Sequence, residues 1–224
     1  MKSFPKQEKQ LELFKKSLNT RHYQDEIPIT GRSYINYSMQ LFPDISTNKL
    51  VSYMGSKDYL DIACGINHLY PKSLLRMIKG STKTHGLDIH SKSDGDYFKG
   101  TIYKTPFSNN SYDCITINNF LYFWEYNPDN LLKIYKELYR ICKSNGEIRV
   151  FPVFFGNYYQ DKVELFEYLN NKFSIQLIRG NDYSKEIPIY MDEGEIKKAK
   201  PVVKDQEYKL NHQLMAYTLV LHKR

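Results

Sequence analysis

The stretch from residue 58 to residue 72 contains residue types that can bind a small ligand at the end of a strand. Its apolar run over residues 59–62, with Asp61 inside it, predicts a short strand. The following turn contains Gly65, which permits close backbone approach, and Asn67, which tolerates the left-handed region. A helical pattern comes next, and strand, tight turn and helix together bring backbone N–H groups up to a ligand. Asp61 can bind a ligand ammonium group or orient the turn.

Two further strands end in polar side chains. Residues 84–89 predict a second strand ending in an acid, Asp88, which can accept both hydroxyls of an adenosine ribose. The alternative for Asp88 is an exposed loop carboxylate. Residues 112–117 predict the best strand of the chain, and Asn118 follows it with an amide that can donate or accept hydrogen bonds. Because ligands bind at the carboxyl ends of strands in open α/β sheets, these residues mark one candidate site.

Residues 61–67, Asp-Ile-Ala-Cys-Gly-Ile-Asn, resemble motif I of class I S-adenosylmethionine (SAM)-dependent methyltransferases, usually Asp-x-Gly-x-Gly-x-Gly. The resemblance is greatest to the broad type 11-like group that acts on small molecules and lipids. Ala63 replaces the first glycine, Gly65 keeps the central one, and Asn67 replaces the third. The resemblance implies that these three residues and Asp61 bind the cofactor SAM, with S-adenosylhomocysteine as the product.

Residues 100–113 resemble a second landmark of the same family: Gly-Asp-Ala, then Leu-Pro-Phe, a polar turn and Phe-Asp before strand four. The acid that often contacts the adenine amino group is missing, and Thr101 stands in its place. The resemblance implies that Ile102 offers its backbone N–H to the adenine ring. It also assigns Asp88 to the ribose and the neighbouring Ile89 to the cofactor site.

The family's later landmarks follow in the same order. The resemblance implies that Asn118 contacts the methionine end of SAM, whereas the aromatic residues after it either line a substrate site or pack in the core. An amphipathic helix over residues 131–142, a turn over 143–146 and a strand over 147–151 resemble the family's helix, Lys-Pro-Gly-Gly turn and strand five.

These landmarks predict an α/β fold: a Rossmann-like, doubly wound, seven-stranded sheet with an antiparallel last strand. Residues 1–56 form an N-terminal helical cap, which either shapes the substrate pocket or covers the sheet. Residues 57–224 form the SAM-binding methyltransferase domain, and the two are effectively one domain. A polar, Lys- and Glu-rich insertion over residues 180–212 precedes the last strand, predicted over 214–221. The further predicted elements are helices at 7–18, 33–42, 47–53 and 160–170, a strand at 173–178, and an irregular region at 94–110.

Composition indicates a globular protein of 224 residues. No apolar run approaches the roughly 20 residues that span a bilayer, so we expect a soluble, cytoplasmic protein without membrane insertion. The formal net charge is +7, but the lysines are scattered, which is weak support for a nucleic-acid partner. The three cysteines have no metal-ligand spacing and are typical of free thiols, so we expect no metal site.

The leading hypothesis is methyl transfer from SAM to an O, N or C nucleophile of a small-molecule acceptor. Such a reaction needs positioning, desolvation and at most one general base, so no catalytic residue is assigned. Candidate bases, each more often structural, are His68, His90, Tyr122 and Glu125. One alternative is an inactive SAM-fold binding protein, which the substitutions at Ala63, Asn67 and Thr101 favour. Another is an RNA methyltransferase, which the positive charge favours. A nicotinamide-binding enzyme fits less well, because the Gly-x-Gly-x-x-Gly spacing is absent.

Overall fold

The structure is a computed structural model. It describes residues 40–64, 83–89, 93, 95–118, 120–121, 127–153, 163–179, 187–190, 196–199 and 217–224. The predicted helix at 7–18, most of the one at 33–42, and the turn residues Gly65 and Asn67 lie outside these ranges.

The described part of the chain contains both helices and strands, as an α/β fold requires. In chain order they are α1 (Thr47–Met54), β1 (Tyr59–Ile62), β2 (Thr84–Asp88), β3 (Tyr97–Lys99), β4 (Tyr112–Asn118), α2 (Pro128–Ile141), β5 (Cys142–Val153), α3 (Val163–Lys172), β6 (Phe173–Arg179), β7 (Ile187–Tyr190), β8 (Ile196–Ala199) and β9 (Tyr217–Lys223).

Seven strands form one sheet in the order β3-β2-β1-β4-β5-β9-β6. The first five are parallel, and β9 is antiparallel to both β5 and β6. The chain winds outward from β1 to β3 and then returns to the other side of β1 with β4. This topology confirms the predicted doubly wound sheet and its antiparallel last strand.

The insertion contains the antiparallel hairpin β7–β8, and β7 lies beside α1. Because α1 belongs to the predicted N-terminal cap, the insertion and the cap are neighbours in the fold.

Two details differ from the sequence predictions. The region at 94–110, predicted to be irregular, contains strand β3, which has only three residues and no recognisable alternation. Strand β5 begins at Cys142, so the predicted turn over 143–146 is an irregularity within the strand, where the register against β4 shifts. Asn145 adopts φ 62° there, in the left-handed region that asparagine tolerates.

Helix α2 covers one face of the sheet, and its ends follow from its sequence. The Asn127 side chain accepts hydrogen bonds from the backbone N–H groups of Asp129 and Asn130, and Pro128 occupies the first turn. The buried stripe of α2 consists of Leu131, Leu132, Ile134, Tyr135, Leu138 and Ile141. It packs with α3 on the apolar side chains of β1, β4, β5 and β9. Among the described residues, no helix is long and apolar enough to cross a membrane.

The opposite face of the sheet is partly polar although it is buried. Residues 40–54 cover it with Leu41, Phe42, Leu50 and Met54, which pack on Tyr59, Cys114 and Phe151. The same face carries buried polar side chains from four strands: Asp61 on β1, Thr116 and Asn118 on β4, Glu147 and Arg149 on β5, and Thr218 on β9. Buried polar groups need partners, so the segment that covers this face must supply some of them.

Arg149 is the centre of the network that binds residues 40–57 to the sheet. Arg149 is 1% exposed, and its guanidinium donates two hydrogen bonds to the Asp44 carboxylate, at 2.6 and 3.0 Å. It also donates to the Leu41 carbonyl at 3.0 Å and to Glu147 at 3.0 Å. Glu147 in turn accepts from Lys57 at 2.8 Å and from the Tyr53 hydroxyl at 2.6 Å.

Within this network, each charged side chain stabilises the ionised form of its neighbours. Burial alone would raise the pKa of the Glu147 carboxyl group, but the Arg149 and Lys57 charges outweigh it and lower that pKa. Burial acts to lower the pKa of the Arg149 guanidinium as well, but the hydrogen bonds that it donates to Asp44 and the Glu147 charge together raise that pKa. Both groups therefore remain ionised at neutral pH inside the protein.

We expect Arg149→Met to destabilise the protein by about 3–5 kcal/mol, because it leaves the buried Glu147 carboxylate without its main counter-charge. The free energy of unfolding in urea measures this loss. Lys143→Met is the matched control, since Lys143 also bridges two acids, Asp58 and Asp113, but its side chain is 33% exposed. We expect the control to lose less than about 1 kcal/mol. Equal losses would contradict the central role of Arg149.

Candidate functional site

The carboxyl ends of β1, β2 and β4 meet at one edge of the sheet. Ile62 on β1 pairs with Leu87 on one side and Ile117 on the other. The next residue of each strand or turn, Ala63, Asp88 and Asn118, therefore lies at this same edge. Between β1 and β4 the winding direction of the sheet reverses, which makes their ends a topological switch point, where ligands bind in open α/β sheets. The structure thus brings three of the predicted site residues together.

Ala63 begins the turn after β1 in a conformation usual for glycine. Its φ is 57°, and its N–H donates to the Leu87 carbonyl at 2.8 Å. The Cys64 N–H points to the same carbonyl at 3.4 Å. The turn also lies close to β2, since a Cβ atom placed on Gly86 would be 2.8 Å from the Cys64 Sγ. Close packing and the shared carbonyl hold the turn against β2 despite the missing glycine.

Asp61 is fully buried in β1 and is fixed by the neighbouring strand. Its Oδ1 atom accepts a hydrogen bond from the Thr116 hydroxyl at 2.8 Å. The Tyr59 hydroxyl lies 2.6 Å from the same Thr116 oxygen, which completes a chain of three side chains. Of the two roles predicted for Asp61, this geometry favours orientation of the turn over direct contact with a ligand ammonium group.

Asp88 and Ile89 lie where the ends of β2 and β3 meet. Asp88 is half-buried, and its carbonyl accepts from the Gly100 N–H at 3.1 Å, which places the segment after β3 beside it. Ile89 is 55% exposed, an unusual position for a large apolar side chain. An acid and an exposed apolar side chain in succession suit a ligand with a polar sugar and an apolar ring.

Thr101 and Ile102 begin the next segment. Thr101 forms an isolated bridge with Lys104, and its hydroxyl accepts from the Tyr103 N–H at 3.3 Å. The Ile102 side chain is buried in the core, so only its backbone can face a ligand. That placement agrees with the predicted role of its N–H group, which stays a prediction.

A second charged group holds this segment in place from α2. Glu137 accepts hydrogen bonds from both the N–H and the hydroxyl of Thr105, each at 2.7 Å. Arg140 donates to Glu137 and to the Phe107 carbonyl, at 2.6 and 2.8 Å. Burial acts to raise the pKa of Glu137, but Arg140 and Thr105 together lower it. The segment after β3 is therefore fixed relative to the sheet.

Asn118 is buried at the end of β4, where it contacts a residue of the predicted cap. Its Nδ2 group donates to the Gln40 Oε1 atom at 3.0 Å, and both side chains are less than 5% exposed. Gln40 is one polar residue within the predicted helix at 33–42 and belongs to no motif, so the sequence did not indicate it. Its importance depends on a contact between residues that are far apart in the chain.

Several predicted residues cannot be located at this edge. Gly65, Asn67 and the four candidate bases, His68, His90, Tyr122 and Glu125, lie outside the described residues. Within the described ranges, no group of three or more His, Cys, Asp or Glu residues could hold a metal ion. The described edge of the sheet contains the start of a tight backbone turn at Ala63, the acid Asp88 and the amide of Asn118. These groups fit the adenosine and amino-acid parts of SAM.

Comparison with known proteins gives a family match for this part of the chain. The sequence model of a methyltransferase-domain family matches residues 60–150, which extend from β1 into β5. None of the curated proteins matches the chain in sequence.

Solved structures with a similar fold are distant in sequence. A suggested SAM-dependent methyltransferase from Listeria monocytogenes has 15% identity and a TM-score of 0.49, with 79% of this chain and 94% of the other covered. A TehB-like SAM-dependent methyltransferase from Corynebacterium glutamicum has 14% identity and a TM-score of 0.46, with 79% and 86% covered. The N-methyltransferase NodS from Bradyrhizobium japonicum has 8% identity and a TM-score of 0.45, with 79% and 91% covered.

The strand order first defines an open α/β domain whose topological switch point lies between β1 and β4. Over the same strands, residues 60–150 match the sequence model of a methyltransferase domain, which supports an enzyme of the class I methyltransferase type.

We expect Ala63→Gly to stabilise the protein by about 0.5–1 kcal/mol, since glycine adopts the left-handed region without steric cost. Ala63→Val should destabilise it by about 1–3 kcal/mol, because a β-branched side chain is strained at positive φ. Urea unfolding measures both changes.

Asn145→Gly is the control for the glycine effect. Asn145 also has a positive φ, but asparagine already tolerates that region, so we expect a change within about 0.5 kcal/mol. An Ala63→Val protein as stable as the wild type would show that the turn after β1 has another conformation.

Proposed function

We propose that the protein binds SAM across the ends of β2, β1 and β4 and transfers its methyl group to a small-molecule O, N or C nucleophile. In this arrangement Asp88 accepts the ribose hydroxyls, and Ile89 contacts the adenine ring. The turn that includes Ala63, Gly65 and Asn67 passes beneath the cofactor.

The remaining parts of the cofactor would meet groups on either side of that turn. The segment of Thr101 and Ile102 would bind the adenine edge, and the end of β4 at Asn118 would lie beside the amino-acid part. Product release would leave S-adenosylhomocysteine in the same place.

The placement of Asp88 is the observation that supports this proposal most. Asp88 comes directly after Leu87, the last residue of β2 that pairs with β1. It therefore lies one strand away from the switch point. A ligand with its ribose at Asp88 extends over Ala63 to Asn118, a span of two strand spacings, or about 10 Å. The adenosine and amino-acid parts of SAM are connected across a comparable distance.

The chemistry asks little of the protein side chains. SAM supplies a methyl group on a positively charged sulfur, which makes that group electrophilic. The chain would hold the acceptor atom in line with the methyl group, exclude water and, for acceptors that carry a proton, provide one base. The buried surroundings of Asn118, 3% exposed, are consistent with a dry environment at the reacting end of the crevice.

RNA is the second candidate acceptor, and the net charge of +7 favours it. Several of the described basic side chains, however, are engaged inside the protein. Arg149 and Lys57 pair with buried acids, Arg140 holds Glu137, and the Lys223 ammonium donates to the Cys142 and Tyr139 carbonyls. Charge that is used in this way contributes little to a phosphate-binding surface, so we favour the small-molecule acceptor.

Calorimetric titration with SAM and S-adenosylhomocysteine tests the cofactor site. We expect micromolar binding by the wild type and a loss of affinity of roughly tenfold to a hundredfold in Asp88→Asn, because two hydrogen bonds to a charged acceptor become weaker. Asp96→Asn is the control: it removes an exposed acid at the opposite end of the β2–β3 pair. We expect its affinity to remain within about twofold of the wild type.

Binding of neither ligand by the folded wild-type protein would contradict the methyltransferase activity and favour the inactive binding protein. An equal loss in the two variants would show that Asp88 acts only through its charge. A salt-dependent affinity for RNA that exceeds the affinity for small acceptors would favour RNA as the substrate.

A further inference from the structure

The turn over residues 101–104 has a backbone donor that can serve a ligand. Thr101 and Lys104 form an isolated bridge across the turn, and the Thr101 hydroxyl accepts from the Tyr103 N–H at 3.3 Å. Ile102 is 5% exposed, so its side chain anchors the turn in the core. In the part of the chain that the structure describes, no hydrogen bond uses the Ile102 N–H. This N–H therefore needs a partner from outside the described contacts, and a ligand can be that partner.

Glu137 on α2 holds the chain immediately after this turn. Thr105 is 6% exposed, and both its N–H and its hydroxyl donate to the Oε1 atom of Glu137, each at 2.7 Å. An ionised carboxylate is an acceptor at both oxygens, so the direction of these two hydrogen bonds is fixed. Before the turn, the Gly100 N–H donates to the Asp88 carbonyl at 3.1 Å. The turn is therefore held on both sides.

Arg140, on the next turn of the same helix, fixes the Glu137 carboxylate. Its guanidinium donates to both carboxylate oxygens, to Oε1 at 2.6 Å and to Oε2 at 2.8 Å. It also donates to the Phe107 carbonyl at 2.8 Å and to the Asn109 side chain at 2.9 Å. The carboxylate cannot rotate away from Thr105 without breaking this two-pronged ion pair. Because α2 packs on the sheet, the position of Thr105 is set relative to the strands.

Other contacts hold the later part of this segment. The Asn110 and Ser111 N–H groups donate to carbonyls at the end of α2, at 2.9 and 2.7 Å. The Phe107 ring packs against neighbouring aromatic rings. These contacts begin two residues after the attachment to Glu137. Loss of that attachment would therefore free the turn without releasing the whole segment.

We propose that Glu137 is a positioning residue for recognition of the cofactor's base. By holding Thr105, it keeps the Ile102 N–H where that group donates to the ring nitrogen N1 of adenine. N1 is an acceptor in adenine, whereas in hypoxanthine it carries a hydrogen and is a donor. A donor that faces another donor leaves both unpaired, so this contact selects adenine. The inference rests on the proposed SAM site, and it gives a residue of α2 a part in the choice of base.

The test compares two ligands that differ only in the base. S-adenosylhomocysteine has adenine, and S-inosylhomocysteine has hypoxanthine on the same ribose, thioether and amino acid. In calorimetric titrations we expect the wild type to bind the adenine ligand at least about tenfold more tightly. Glu137→Met has a side chain of similar length without acceptor oxygens. We expect it to lower the affinity for S-adenosylhomocysteine about tenfold and to leave that for S-inosylhomocysteine within about threefold.

Lys223→Met is the matched control. Lys223 on β9 is 8% exposed, and its ammonium group donates to the Tyr139 and Cys142 carbonyls at the end of α2. The variant therefore loosens the end of the same helix but leaves the contacts between Glu137 and Thr105 in place. We expect a lower midpoint of urea unfolding, with the ratio of the two affinities changed by less than about twofold.

Thr105→Val is a second variant with a smaller change. It keeps the shape of the side chain and the N–H donor, and it removes only the hydroxyl hydrogen bond to Glu137. We expect the preference for the adenine ligand to fall about threefold. This variant replaces Glu137→Met if the methionine variant does not fold, as judged by circular dichroism, and an unchanged ratio then overturns the inference.

The remaining outcomes separate the two proposals. The inference is overturned if the wild type does not favour adenine, or if Glu137→Met lowers both affinities equally or neither. It is also overturned if Lys223→Met changes the ratio as much as Glu137→Met does. In each of these cases the wild type still binds S-adenosylhomocysteine, so the proposed SAM site stands. If the folded wild type binds neither ligand, both proposals fail.

Discussion

The buried pairing of Glu147 and Arg149 is the interaction on which the rest of the structure depends. Two ionised side chains in the middle of a sheet face are costly to bury unless all their hydrogen bonds are satisfied. The N-terminal segment satisfies them with Asp44, the Leu41 carbonyl, Tyr53 and Lys57. An apolar interface of the same area would tolerate small shifts, but a network of directed hydrogen bonds specifies one position for the segment. Gln40 reaches Asn118 because of that position.

The candidate site at the carboxyl ends of the strands is a consequence of the sheet topology. Parallel strands that wind outward in both directions make the ends of β1 and β4 a topological switch point, and the turn after β1 begins there. Ala63 adopts a left-handed conformation there without the help of glycine, held by the Leu87 carbonyl. On the far side, Glu137 and Arg140 hold the segment after β3. Charged groups therefore hold two segments in place: residues 40–57 on the polar face of the sheet, and the segment after β3 beside the strand ends.

Much of the fold and some of the site could be predicted from the sequence, for local reasons. β1 and β4 are largely apolar runs, β2 is a short strand that ends in an acid, and the polar residues at the strand ends indicated Asp88 and Asn118 at the sheet edge. β3 was missed because three residues are too few to show a period. The contact of Gln40 with Asn118 could not be predicted, since it joins positions whose proximity arises only after the cap has docked. The roles of Gly65 and Asn67 stay predictions.

The most direct test of a SAM site between β1 and β4 is an NMR titration of the ¹⁵N-labelled protein with S-adenosylhomocysteine. Ligand binding at the switch point should shift the backbone amide signals of Ala63, Ile89 and Ile102 and the side-chain amide signals of Asn118 and Gln40. Signals from the far end of the sheet, such as Asp58 and Asp113, should stay in place. Shifts confined to that far end, or no shifts at saturating ligand, would contradict a SAM site between β1 and β4.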